Sequence, residues 1–101
     1  MSESGGGDSK SKDSAQELIQ ANINQSIAQA VETATDLLRN ISTIETTVIG
    51  VASAKWLADP GNKDYKDIIE NATANISFAV ENLTKVGTAG ASVLNELKPK
   101  D

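Results

Sequence analysis

The sequence contains no cysteine and no histidine. The first absence excludes disulfides, thiolate catalysis and cysteine-ligated zinc, and the second removes the commonest general base together with the commonest transition-metal ligand. Aromatic residues are limited to Trp56, Tyr65 and Phe78, and the only prolines are Pro60 and Pro99. Large anchoring side chains are therefore scarce, and few positions interrupt regular structure. Clustered basic residues are also missing. The net charge of −5 divides into −1 over residues 1–13, −2 over 14–57 and −2 over 58–101, so the patch that would release counterions from nucleic acid is not there. The longest apolar stretch, around residues 48–52, falls far short of the ~20 residues that span a bilayer. The Gly/Ser/Asp-rich N-terminus lacks the apolar segment of a secretory signal. These absences predict a cytoplasmic protein with no signal peptide, no membrane span, no nucleic-acid partner, no cofactor, no metal and no catalytic residues.

What remains is a chain of 101 residues, 39% hydrophobic, with its apolar content mostly in Ala, Ile, Val and Leu. A domain of this size gains only a few kcal/mol from its own core unless disulfides, metal or oligomerisation add to it. Of those three, the composition leaves oligomerisation.

Residues 1–13 are polar and glycine-rich, with nothing to bury, and read as a disordered tail. At Ser14 and Glu17 the pattern becomes that of a capping box ahead of an apolar-periodic run. From there a seven-residue frame organises the apolar positions. One column is Ile27, Ala34, Ile41, Val48; a second is Ile23, Ala30, Leu37, Ile44, Val51; a third carries Val31, Leu38 and Ala52 but is interrupted by Glu45. The far side holds Gln25, Glu32, Arg39, Thr46 and Ser26, Thr33, Asn40, Thr47. This predicts a long amphipathic helix over about 14–57, roughly 65 Å if unbroken. Residues 41–51 are its weak stretch, because eight β-branched residues and Gly50 favour a strand there. The frame passes through without slipping, which favours the helix.

Asp59, Pro60, Gly61 and Asn62 form the hinge, a turn over 58–62 in which proline restricts its predecessor and glycine offers positive φ. Asn62, or Asp59, would cap a second helix over about 63–97 that starts with Asp64, Asp67 and Glu70, charges suited to a helix N-terminus. Its apolar positions Tyr65, Ile69, Ala72, Ile76, Ala79, Leu83, Val86, Gly90, Val93 and Leu97 alternate in steps of four and three, the signature of a coiled-coil seam. Lys98, Pro99 and Lys100 end it. The fold expected is all-α, a long αα-hairpin over 14–98 with coiled-coil-like packing.

The acidic cluster at Asp59, Asp64, Asp67 and Glu70 lacks the spacing of a calcium loop and reads as a solvated helix start. Five Asn-X-Ser/Thr triplets begin at Asn24, Asn40, Asn71, Asn75 and Asn82; they read as uncharged helix surface suited to a like neighbour. The small residues from Gly87 to Ser92 allow close backbone approach rather than phosphate binding, since no loop precedes them. Trp56 and Tyr65 flank the turn and could clasp across it.

Two bacterial families are resembled. Ile27, Ala28, Gln29, Ala30 and Val31, then Asn71 and Ala72, then Thr88, Ala89 and Gly90 followed by Val93 and Leu94 resemble the R-body structural proteins, small helical subunits that polymerise into ribbons. The loop Asp59, Pro60, Gly61, Asn62 with its following helix is similar to type III secretion needle and inner-rod subunits. Both resemblances imply self-assembly, and the first implies ribbons that extend on acidification. With no histidine, an acid response would fall to carboxylates, which titrate near ~4; Glu45 and the series Asp64, Asp67, Glu70 are the candidates.

The function expected is a non-enzymatic structural subunit that associates with itself, or with a related helical subunit, into a ribbon or filament. The alternative is a helical binding module, a secretion chaperone or adaptor, that folds against a different protein. The interface residues expected are Ile27, Val31, Leu38, Ile41, Ile44 and Val48 on the first arm, with Ile69, Ile76, Leu83, Val86, Gly90 and Val93 on the second. A two-stranded seam uses about two of seven columns, so the third column of the first arm would remain exposed.

Overall fold

The computed structural model describes the backbone of residues 2–98 and the side chains of residues 12–98. Two helices, α1 (Ser2–Ala58) and α2 (Lys63–Glu96), fold back on one another as an extended hairpin, with no strand among the described residues. The hairpin measures 86 × 22 × 12 Å. At about 1.5 Å per residue α2 is roughly 50 Å long, so α1 continues well past the end of its partner.

The expected tail, 1–13, falls mostly on residues whose side chains lie outside those described, as do Pro99 and Lys100. The backbone is already helical at Lys12 and Asp13, so the Ser14 and Glu17 pair does not start α1. Residues 41–51 are helical throughout, and the strand alternative is overturned. Packing explains why: Ile41, Val48 and Ala52 are taken into the contact with α2, and tertiary burial outweighs weak propensity. Thr43 and Thr47 donate their hydroxyls to the carbonyls of Arg39 and Thr43 at 2.9 Å, as Thr35 does to Val31 at 2.7 Å. Each bond satisfies the hydroxyl inside its own helix.

The turn is fixed by short-range hydrogen bonds. Asp59 N donates to the carbonyls of Lys55 and Trp56, and Asn62 N donates to that of Asp59 at 3.1 Å. Asn62, in extended backbone, caps α2 by accepting from Asp64 N at 3.0 Å. Trp56 folds over the turn and donates its indole N–H to the Pro60 carbonyl at 3.2 Å. The expectation that Gly61 supplies a positive φ is corrected: none of the described glycines has one, and a Cβ at Gly61 would meet open space. Proline and the Asn62 cap turn the chain without it.

Small residues form the core. Ala34, Ala52, Ala72 and Ala79 are buried, and so is Gly90. A Cβ built on Gly90 would stand 2.7 Å from Ile27 Cγ2, so the isoleucine occupies the place a side chain would take. Gly87, three residues earlier, faces open space. No large side chain is fully buried among the described residues. Alanine and glycine let the two backbones come close, and the larger apolar groups sit half-buried along the edges of that contact.

Candidate interaction surface

The inner face of α2 is the one its four-three spacing predicts. Tyr65, Ile69, Ile76, Leu83 and Val86 are half-buried around Ala72, Ala79 and Gly90. The inner face of α1 differs from expectation in which columns it uses. The column of Ile27, Ala34, Ile41 and Val48 faces α2, and so does the column of Val31, Leu38 and Ala52, Glu45 included. The next column round, Thr35, Ser42, Ile49 and Trp56, is half-buried as well. The expectation that the third column would stay outside is therefore corrected: the second, uninterrupted column is the one left out. A rotation of α1 that favours Ala, Ser and Thr toward α2 suits the close approach set by Ala72, Ala79 and Gly90. Leu37 and Ile44 in the same place would hold the helices apart.

Glu45 gains a role from this rotation. Its carboxylate accepts a hydrogen bond from Asn75 Nδ2 at 2.7 Å, from one arm to the other. A single polar pair on an apolar seam is matched in only one register, so it aligns the two arms. Of the other acidic candidates, Glu70 makes an exposed 3.8 Å pair with Lys66, and Asp64 contributes its backbone N–H to the cap. Asp67 is exposed. Exposed pairs of this kind add little stability.

The excluded column combines with α2 into one apolar flank. Between Leu37 and Val80, six large hydrophobic side chains other than Leu57 at the turn stand exposed, and five of them share this side: Leu37 (45%), Ile44 (61%), Val51 (53%), Ile68 (41%) and Phe78 (63%). Shallow grooves connect the arms along it at successive levels. Val51 and Lys55 lie beside Ile68 near the turn; Ile44 and Glu45 lie beside Asn75 and Phe78. Leu37 then lies beside Asn82, and Ala30 beside Val86 and Ala89, with Ile23 and Val93 last. On α1 these levels are seven residues apart. The neighbouring column, Ser26, Thr33, Asn40, Thr47 and Ala54, carries no charge.

Of the expected interface residues, Ile27, Val31, Leu38, Ile41, Val48, Ile69, Ile76, Leu83, Val86 and Gly90 are taken into the seam within the hairpin, and Val93 lies at its exposed end. Ile44 belongs to the open flank. Leu37, Val51, Ile68 and Phe78 were not among the residues singled out. Leu37 and Val51 belong to the unbroken second column, a legible signal; Ile68 and Phe78 lie off the α2 seam and are recognisable only once the flank is assembled.

Further apolar side chains are exposed toward the open end of the hairpin. Leu18 (63%) and Ile19 (54%) sit on the part of α1 that outruns α2, and Leu94 and Leu97 stand at the end of α2. Among the described residues no group of three or more acidic side chains converges as a metal site would require, and no helix is long and apolar enough to cross a membrane. No protein-family model, no curated protein and no solved structure matches the chain.

Proposed function

We propose that this protein is a non-enzymatic structural subunit that associates with itself through its helices and builds a ribbon or filament. The observation that carries the reading is the flank of Leu37, Ile44, Val51, Ile68 and Phe78, exposed along a hairpin whose own core is alanine and glycine. Covering it would stabilise the chain by about 25 cal/mol per Å² of apolar area removed from water. A two-helix hairpin of this size has little stability of its own to begin with. Growth beyond a closed pair needs a second face; Leu18, Ile19, Leu94 and Leu97 at the open end supply a candidate. The uncharged Ser, Thr and Asn positions beside the flank would let subunits carrying −5 approach without strong repulsion. The resemblance to ribbon subunits belongs to the same proposal.

The reading is tested by sedimentation velocity and negative-stain microscopy of the full chain across micromolar concentrations. Dimers and larger assemblies are expected. A folded species that stays monomeric throughout would rule the proposal out. The concentration of the mid-hairpin apolar surplus on one flank favours a second reading, a module that receives a single helix from a different protein. Pull-down from the native cell separates the two, by returning either the chain itself or a stoichiometric stranger.

A further inference from the structure

The geometry points to the apolar flank as the seat of a second copy of this chain, bound antiparallel about a two-fold axis that crosses the flank between the levels of Leu37 and Ile44. This inference rests on the self-association proposed above and gives it a register. It follows from the order of side chains along the flank, which is complementary to its own reverse.

Reversing the flank about that point exchanges the level of Ile44 and Asn75 with that of Leu37 and Asn82, and the level of Val51 and Ile68 with that of Ala30 and Ala89. The bulky outer level meets the smallest one. Leu37 of one copy enters beside Ile44 of the other, Phe78 lies close to the axis and packs beside its own copy, and the Val51 and Ile68 pair fills the shallow step over two alanines. Alternation of large and small across facing positions is what close packing requires. The competing arrangement, with the axis along the helices, keeps each level opposite itself. It would set α1 of each copy against α2 of the other, so that Ile44 meets Phe78 and Val51 meets Ile68, bulky on bulky, and leave a gap where Ala30 meets Ala89.

Charge makes the same choice. Lys85 stands seven residues beyond Phe78, in the same column, at about the level of Leu37. Reversal carries it to the level of Ile44, where the Glu45 carboxylate opens on the groove with Asn75 as its partner. The symmetry makes two such pairs. Lys55 near the turn likewise approaches Glu96, which lies seven residues beyond Ala89 at the open end. In the arrangement with like levels opposed, Lys55 and Glu96 stay at opposite ends of the pair and Lys85 keeps to its own level, away from Glu45, so neither pairing forms. The area also suffices, since a face ~50 Å long and two helices wide offers on the order of 1,000 Å² per partner, within the range of stable pairs.

The register is tested by charge reversal in the full chain, with sedimentation equilibrium reading the dimer constant and circular dichroism reading helix content. Lys85→Glu alone and Glu45→Lys alone are each expected to weaken the dimer about ten-fold or more. The double variant is expected to recover most of the loss. A parent chain that pairs, with a double variant no better than its worse single, overturns the register while self-association stands. A monomeric parent removes both, and makes a different chain the flank's occupant. Because Glu45→Lys could disturb the hairpin, an independent arm uses the absence of cysteine. Asn40 lies between Leu37 and Ile44 in the column beside them, next to the axis, so Asn40→Cys should be joined to its own copy by a short thiol cross-linker. Ser77→Cys, on the opposite side of α2, should not. Equal cross-linking at the two positions, or none at Cys in place of Asn40 in a chain that pairs, overturns the arrangement.

Discussion

The two flanks of the hairpin are made from the same two helices, yet they resolve their apolar content in opposite ways. On one, Leu37, Ile44, Val51, Ile68 and Phe78 stand out in solvent. On the other, α1 turns Thr35, Ser42, Ile49 and Trp56 partly inward, and α2 presents Thr73, Gly87 and one exposed valine, Val80. Thr35, Thr73 and Thr84 also return their hydroxyls to carbonyls of their own helices. The difference comes from the seam. A core of alanine and glycine draws the helices together only if α1 turns its small side chains toward α2, and that rotation pushes an unbroken column of larger ones outside. Close packing within the hairpin and an exposed flank are thus two results of one choice.

The largest effect should follow from removing the flank while leaving the seam alone. Ile44→Ser combined with Phe78→Ser is expected to weaken self-association by about 100-fold or more, since central apolar anchors carry most of an interface's energy. Sedimentation reads the loss. Both positions are more than half exposed, so helix content of the dilute chain should change little. If association survives the pair of substitutions, the flank is not where the copies meet.

Next in size is a change inside the seam. Gly90→Val places a branched side chain where Ile27 Cγ2 already comes within 2.7 Å of a would-be Cβ. Isoleucine is stiff at χ1, so the clash cannot be relieved by a simple rotation, and overpacking should cost about 2 kcal/mol. Thermal unfolding is expected to move down by roughly 10 °C. Gly87→Val, which meets open space, supplies the comparison and should not lower stability. Equal effects at the two glycines would contradict the close approach.

How much of this could be read beforehand differs between the arms. The α2 seam was legible residue by residue, because only one pair of columns there is apolar. On α1 three adjacent columns are apolar, and periodicity cannot say which two a partner will choose. Glu45 was misleading for a chemical reason: an acid on an apolar face suggests a solvent-facing column, but Asn75 on the other arm supplies its hydrogen bond. Steric demand decided the rotation, and steric demand belongs to both helices together. The turn was legible in place and in its Asn62 cap, whereas the φ of Gly61 depended on tertiary geometry that Pro60 and Trp56 had already fixed.

A smaller effect is expected at that cap. Asn62→Ala removes the side-chain acceptor of Asp64 N and leaves an amide at the start of α2 without its partner. The cost should be about 1 kcal/mol, seen as a lower midpoint in denaturant with little change of slope. Asn62→Asp keeps the acceptor and should restore the midpoint. A cap substitution that instead alters the dimer constant would mean that the turn takes part in association.

The smallest effect is also the one that distinguishes a closed pair from a growing polymer at the second flank. Val80 is 46% exposed, comparable to Leu37 on the other side, but its column lacks a row of large apolar side chains: Thr73 and Gly87 lie seven residues to either side. An isolated exposed valine contributes little when no surface covers it, so Val80→Ser should leave both stability and association within about 0.5 kcal/mol of the parent. Differential scanning calorimetry and sedimentation on the same sample measure the two quantities together. Should Val80→Ser weaken association as strongly as Phe78→Ser, both flanks would be contact surfaces, and subunits would stack side by side through unlike faces without need of the open end. If only the Phe78 side responds, pairing is confined to one flank, and any growth into a filament must run through Leu18, Ile19, Leu94 and Leu97 at the end of the hairpin.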